Sequence, residues 1–404
     1  MGLREDTLLI LGDLIGFPTV TSETNLDLID HAEAILTEVG AATSRTYDEH
    51  GLKANLFATI GPAVDGGVVL SGHTDVVPAE TETWTGAPFV ATRRGQKVFG
   101  RGAADMKGFI ACALAMAPRF AEADLGVPVH IALTFDEEVG CKGAPLLLAE
   151  LARTGPRPAV AIVGEPTSMR VVVAHKGCYE YTTTIRGLEG HGSAPDRGVN
   201  AVELAARYVG RLLELRREFA ARADADSPFD PPGTTISVGT IAGGTARNVV
   251  AGECSLDWEV RPVRREDADH AVATMAAFED ELLAEMRAVD PEASIETVTV
   301  GAVDGLEPRT GTPAFALVRR LLGDTGVDVV SFGTEAGLYQ QAGIPAVVCG
   351  PGSIDVAHRP DEHVAIDQLE RCLEMMERLI DELSVSQMAD RPTSRGTSRG
   401  AELG

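Results

Sequence analysis

Five short segments of this chain combine histidine or carboxylate side chains in ways that suit metal chemistry: Gly72-His73-Thr74-Asp75, Gly102-Ala103-Ala104-Asp105, Asp136-Glu137-Glu138, Gly164-Glu165-Pro166 and Ala357-His358-Arg359-Pro360. Singly, each has an ordinary explanation. An Asp-Glu-Glu run is usually a solvated turn, and a histidine near a strand end is usually a structural hydrogen-bonding group. Together they do not, because at least four of the five follow strand-like runs, and in open α/β sheets the carboxyl ends of the strands are where ligands bind. Several acids gathered there repel one another unless a cation offsets them. Two imidazoles and at least three carboxylates suit zinc or a related first-row metal, and a set without cysteine argues against a closed structural zinc site. Five protein ligands are too many for one open catalytic zinc but serve two ions if one carboxylate bridges them.

The elements that must position these groups fall into two styles. Up to about residue 175, helices alternate with apolar β-branched runs. Helices are expected from Leu3 to Gly16, up to Gly40, and from Met106 to Ala117; strands at Val68 to Leu70, Val129 to Thr134 and Ala159 to Val163. Continuous apolar strands separated by helices predict a sheet covered on both faces. After Gly177 the pattern changes. An alternating strand (Tyr179 to Ile185) leads to a helix capped by Asn200 with Glu203, then strands at Thr234 to Ile241 and Cys254 to Val260. A helix from Glu266 to Arg287 and a strand at Ser294 to Val300 complete it. That order, β-α-β-β-α-β, is the ferredoxin-like split unit. The first style returns with a helix begun by Thr312 and Pro313 and ended at Gly323, then a strand at Ala346 to Cys349. The fold expected is therefore α/β: a mixed-sheet catalytic domain over 1–178 and 302–385, covered by helices. An α+β lid or dimerisation domain over 179–301 is inserted in it, and a disordered tail follows over 386–404.

The 404 residues carry 60 acidic against 35 basic side chains, a net charge of −25. That excludes nucleic-acid binding driven by phosphate neutralisation. No apolar run approaches the length needed to span a bilayer, and acids stand where a signal peptide would be basic and then apolar, so a cytoplasmic location is expected. The six cysteines form no Cys-x-x-Cys pair and read as reduced core thiols.

Five stretches resemble the di-zinc amidohydrolase family that includes acetylornithine deacetylase, succinyl-diaminopimelate desuccinylase, aminoacylases and related carboxypeptidases. They are Ser71 to Pro78 (SGHTDVVP), Gly100 to Gly108 (GRGAADMKG), Glu137-Glu138, Glu165-Pro166 and Ala357 to His363 (AHRPDEH). The resemblance spans the chain up to its tail, in the right order. Phe332 to Tyr339 (FGTEAGLY) and Cys349 to Ser353 (CGPGS) resemble the acetylornithine deacetylase branch most.

The resemblance implies two zinc ions per subunit, with cobalt able to substitute. It makes Asp105 the bridging carboxylate, with His73 and Glu165 completing one site and Glu138 and His358 the other. It implies that Asp75 holds the His73 imidazole and that Glu137, beside a ligand, is the general base and acid. It also implies a cis peptide at Asp105-Met106, a homodimer in which His191 reaches across to stabilise the oxyanion, and Asn248 and Arg261 as groups for the substrate carboxylate. Gly190 and Gly192 stand where relatives commonly have Ala and Ser. The remaining histidines (31, 50, 130, 175, 270, 363) are expected to be structural. The activity implied is removal of an acyl group from a small N-acyl amino acid, first of all N2-acetylornithine, with Glu335 a candidate for meeting a cationic side chain. Desuccinylase, aminoacylase and dipeptidase or carboxypeptidase activities share the same metal residues. A non-catalytic zinc-binding dimer is the remaining class, set against by a complete ligand set with its base.

Overall fold

In the computed structural model, which describes residues 2–309, 311–323 and 326–385, two large sheets carry most of the chain, beside a three-stranded and a two-stranded one. The larger has eight strands in the order 42–47, 54–60, 129–134, 68–73, 160–166, 346–350, 171–175, 327–330. Its centre is parallel, from Val129–Thr134 through Val68–His73 and Val160–Pro166 to Ala346–Gly350. Those four strands are buried along their whole length. That is why they read as continuous apolar runs rather than alternating ones. The antiparallel strands Ala42–Tyr47 and Ala54–Ile60 extend one side.

The helix Lys107–Glu122 packs on this sheet between the helices Leu3–Gly16 and Ile366–Leu383. It runs through Pro118 instead of ending before it, because Met116 and Phe120 bury completely on either side of the proline and hold the turn that its missing N–H weakens. Gly164, just before Glu165, lets this helix approach the sheet. A Cβ there would lie 2.0 Å from the Phe109 ring.

The second sheet is antiparallel in the order Thr235–Gly243, Glu253–Arg261, Cys178–Arg186, Ser294–Val303. The helices Ala201–Arg222 and Arg265–Arg287 pack against it, burying Tyr181, Tyr208, Leu212, Trp258 and Met275 in a core of their own. This is the split unit that the sequence order predicts. The Asn200 side chain accepts from Val202 and Glu203 N–H, and the Thr312 hydroxyl caps the helix Pro313–Leu322, as their sequence signals require. All six cysteines are free and five are buried. Among the described residues no helix is long and apolar enough to cross a membrane. The tail expected over 386–404 lies outside the described residues.

Candidate active site

The parallel strands deliver their cargo at one edge. His73 ends the strand Val68–His73, Glu165 lies in the last turn of pleat of Val160–Pro166, and the Glu137-Glu138 turn follows Val129–Thr134. Asp105 stands just before the helix Lys107–Glu122, joined to Met106 by a cis peptide bond. His358 comes from the loop after Ala346–Gly350.

Asp105 offers one oxygen to each histidine. Its Oδ1 is 3.0 Å from His73 Nε2 and its Oδ2 is 3.3 Å from His358 Nε2. His73 Nε2 also lies 3.8 Å from Glu165 Oε1, and His358 Nε2 lies 3.0 Å from Glu138 Oε1. Two overlapping groups, His73-Asp105-Glu138 and His73-Glu137-Glu165, each place three donor atoms within 4.8 Å of one another. The donors suit divalent first-row ions. Glu165 Oε1 is buried with no hydrogen-bond partner, an arrangement that costs free energy unless a cation meets that oxygen.

The electrostatics point the same way. Burial, reinforced by Asp105, raises Glu165 and Glu138 above the usual carboxylate range; Glu137 is raised by burial and the neighbouring acids. Hydrogen bonds that His358 donates to Asp105 and Glu138 push it up to about 10. Burial disfavours a charged His73, but Asp105, Asp75 and Glu165 together outweigh that and raise it. For Asp105, burial acts upward, yet both imidazoles together hold it below the usual range. Protons on these groups occupy the role that metal ions would fill.

Asp75 does more than orient an imidazole. The His73 Nδ1 bond goes to the Asp75 backbone carbonyl at 2.9 Å, with the carboxylate at 3.6 Å. That carboxylate accepts from the backbone N–H of Glu137 and of Glu138, both at 3.1 Å. One residue thus fixes the His73 ring and the turn that carries Glu137 and Glu138. Asp136 enters this turn in the left-handed region at φ 55°, held by an ion pair with Lys53.

Sequence reasoning missed Glu362. Fully buried, it accepts from the backbone N–H of Ala104 at 2.9 Å and of Asp105 at 3.1 Å, and pairs with Arg101 at 2.7 Å. It lies inside the quoted AHRPDEH run, which was the only available signal.

A cavity of about 430 Å³ opens onto this cluster, lined by Asp105, Glu137, Glu138, Glu165 and His358 on one side and by Cys178, Glu180 and Arg261 of the second sheet on the other. A larger cavity, about 600 Å³ around Phe229 and Thr234, contains no histidine and none of the expected site residues. Arg261 therefore reaches the site. His191 and Asn248 do not line the cavity. They lie side by side in a short ribbon where His191 pairs with Val249 and the Gly192 N–H donates to the Asn248 carbonyl. Glu335 is corrected by the structure. It is 1% exposed and outside the cavity lining, with burial pushing it up to about 7, so it does not face a substrate side chain.

Residues 69–382 match the family described as peptidase family M20/M25/M40. The chain belongs to this family. An acetylornithine deacetylase of Myxococcus xanthus is 37% identical to it, over 92% of this chain and 95% of that protein. One of Photorhabdus laumondii is 33% identical over 92% and 96%. Among solved structures, a metallo-carboxypeptidase of the same family from Sulfolobus solfataricus superposes with a TM-score of 0.72 at 17% identity, covering 93% of this chain and 98% of the other. A dinuclear metal-binding peptidase of the family from Bacillus subtilis gives 0.62 at 16%, covering 94% and 98%. Membership makes this chain an amide-bond hydrolase, and the fold agrees with it along nearly its whole length.

Proposed function

We propose that this chain hydrolyses the amide bond of a small N-acyl amino acid, N2-acetylornithine first, releasing acetate and the free α-amine. The observation that carries the reading is Asp105, which presents one oxygen to each of two histidines beside the Glu137 turn. His73, Glu165, His358, Glu138 and the shared Asp105 would hold two divalent cations, zinc in this proposal. Bound there, they supply Lewis acidity for the scissile carbonyl and lower the pKa of the attacking water.

The chain's own residues do the rest. Glu137 takes a proton from the water as its oxygen bonds to the carbonyl carbon, then returns it to the leaving nitrogen as the C–N bond breaks. Asp75 keeps the base in register with the ligands by gripping the turn. Arg261 supplies a planar fork for the substrate α-carboxylate. We assign His191 to oxyanion stabilisation in the site of a second copy, with Asn248 beside it, and the molecule to a homodimer working in the cytoplasm. The similarity of the Myxococcus and Photorhabdus deacetylases favours acetyl over succinyl.

The test is steady-state hydrolysis of N2-acetylornithine, N-succinyl-diaminopimelate and acetylated neutral amino acids, with elemental analysis for bound zinc. Preference for acetylornithine supports the proposal; preference for the succinyl substrate overturns the substrate assignment. Mixing inactive His191→Ala with inactive Glu137→Gln should restore activity in heterodimers, and a fully active monomer in sedimentation contradicts the dimeric site.

A further inference from the structure

The cavity has a second wall whose charge the reaction leaves unexplained. On the antiparallel sheet, Glu180 stands directly opposite Glu259, an arrangement of like charges that weakens a sheet unless something offsets it. Arg261 forms its hydrogen bonds with Glu259, donating from Nε at 3.1 Å and Nη2 at 2.9 Å to the same oxygen, and acts on Glu180 only through space. Cys178, Glu180 and Glu259 bring donor atoms within 4.8 Å, but this guanidinium already supplies a cation to the group. The Glu180 carboxylate has no hydrogen bond or ion pair among the described residues, and it lines the substrate cavity. The wall is left with one carboxylate in excess.

Glu180 is held where it can meet a substrate. A bulge between Thr299 and Gly301 puts Gly301 opposite it, and there the sheet meets the catalytic turn: a Cβ added at Gly140 would lie 3.2 Å from the Gly301 Cα. A Cβ at Gly301 would in turn lie 2.9 Å from Glu180 Oε2, so glycine at this position leaves the carboxylate its place. Glu180 thus sits between Arg261 and the turn that carries Glu137.

We propose that Glu180 binds the side-chain ammonium of the substrate while Arg261 binds its α-carboxylate, so that the cavity selects N-acyl amino acids with a basic side chain. The inference rests on the acyl amino acid reading above. A basic side chain cancels the excess charge of the wall, whereas a neutral one leaves Glu180 desolvated and unpaired, the more costly outcome. Glu180 takes the role that the sequence offered to Glu335.

The test compares kcat/KM for N2-acetylornithine and N-acetylnorvaline, which has the same side-chain carbons without the ammonium, on the full-length, zinc-loaded enzyme. The wild type should prefer acetylornithine. Glu180→Gln should reduce that preference about tenfold or more, through KM for acetylornithine, as expected for loss of a charge-assisted bond. Gly301→Ala, which displaces the carboxylate without removing it, should shift the preference the same way. An equal fall on both substrates, an unchanged ratio, or a wild type that prefers acetylnorvaline overturns the assignment. A zinc-loaded wild type that hydrolyses neither substrate overturns the acyl amino acid reading itself.

Discussion

The most exacting perturbation of this site is Asp75→Asn. The carboxylate receives two backbone N–H groups, from Glu137 and Glu138, each at 3.1 Å, one on either oxygen. Asparagine keeps the shape but offers one oxygen and one NH2, so one of the two N–H groups must face a donor. Losing one charge-assisted bond costs about 1.5–3 kcal/mol, and removing the charge from the other costs roughly 0.5–1 more, about 2–4 kcal/mol together. Asp75 is 3% exposed, so water does not readily replace what is lost. If the turn needs this grip to present Glu137, the cost falls on the transition state and kcat/KM drops by about 30- to 1,000-fold, at tenfold per 1.36 kcal/mol. Because the His73 bond runs to the Asp75 carbonyl, which the substitution keeps, metal content should change much less than turnover. The assay pairs steady-state kinetics with elemental analysis and urea unfolding. Turnover within twofold of wild type, with unchanged unfolding free energy, would refute the reasoning, and so would a loss of activity fully explained by lost metal.

Glu137→Gln should retain both metal ions and lose about 10²- to 10⁴-fold in kcat, the range of a general acid–base group; elemental analysis beside kinetics checks it. Glu362→Ala leaves the buried Arg101 unpaired and two N–H groups without acceptors. It should lower unfolding free energy by about 3–5 kcal/mol and weaken metal binding at Asp105, read by urea titration and by competition with a chelator. His130 and His175 are buried in neutral form, burial lowering each to about 4. A depressed folded pKa means that the stability each contributes is complete above the unfolded value near 6.5 and is lost as pH falls toward 4. Unfolding free energy should therefore decline across that window by about 3 kcal/mol per histidine, and His130→Asn should flatten the decline.

How much of this was legible in the sequence depended on how local each signal was. The five candidate donors were readable because each falls in a short motif: strand order brings His73, Glu165 and the Glu137-Glu138 turn to one edge, and a helix start and a loop add Asp105 and His358. Arg261 was singled out by the family resemblance, one residue past the expected strand Cys254 to Val260, and it closes the observed strand Glu253–Arg261. Glu362 was not, since its bonds reach backbone amides 257 and 258 positions away and leave no periodic trace. Glu180 was hidden for a related reason: as one polar residue in an alternating strand it looks like any solvated position, and only the Gly301 bulge brings it to the cavity. The Glu335 expectation failed because nearness in a motif was taken for access, while the fold turns that side chain under the sheet edge beside Ser71. The strands Ala42–Tyr47 and Val327–Val330 went unread because edge positions with mixed exposure lack the apolar run that marks the centre.

The two walls of the cavity belong to different sheets, and this separates two kinds of chemistry. Metal binding and proton transfer depend on groups gathered at the edge of the parallel strands, where His73, Asp105 and Glu165 are buried and Asp75 and Glu362 brace the neighbouring backbone. Contact with the substrate's own charges comes from the antiparallel sheet, through Arg261 and Glu180, which line the cavity on a sheet whose core contains none of those braces. A substitution on the second sheet can change which side chain is accepted without disturbing the donors that hold the ions, since sites with no shared partners act nearly independently. Combining Glu180→Gln with Glu362→Ala should therefore give additive losses: the first in substrate preference, the second in metal affinity. A coupling energy above about 0.5 kcal/mol in a double-mutant cycle on metal affinity would show that the two walls act as one unit.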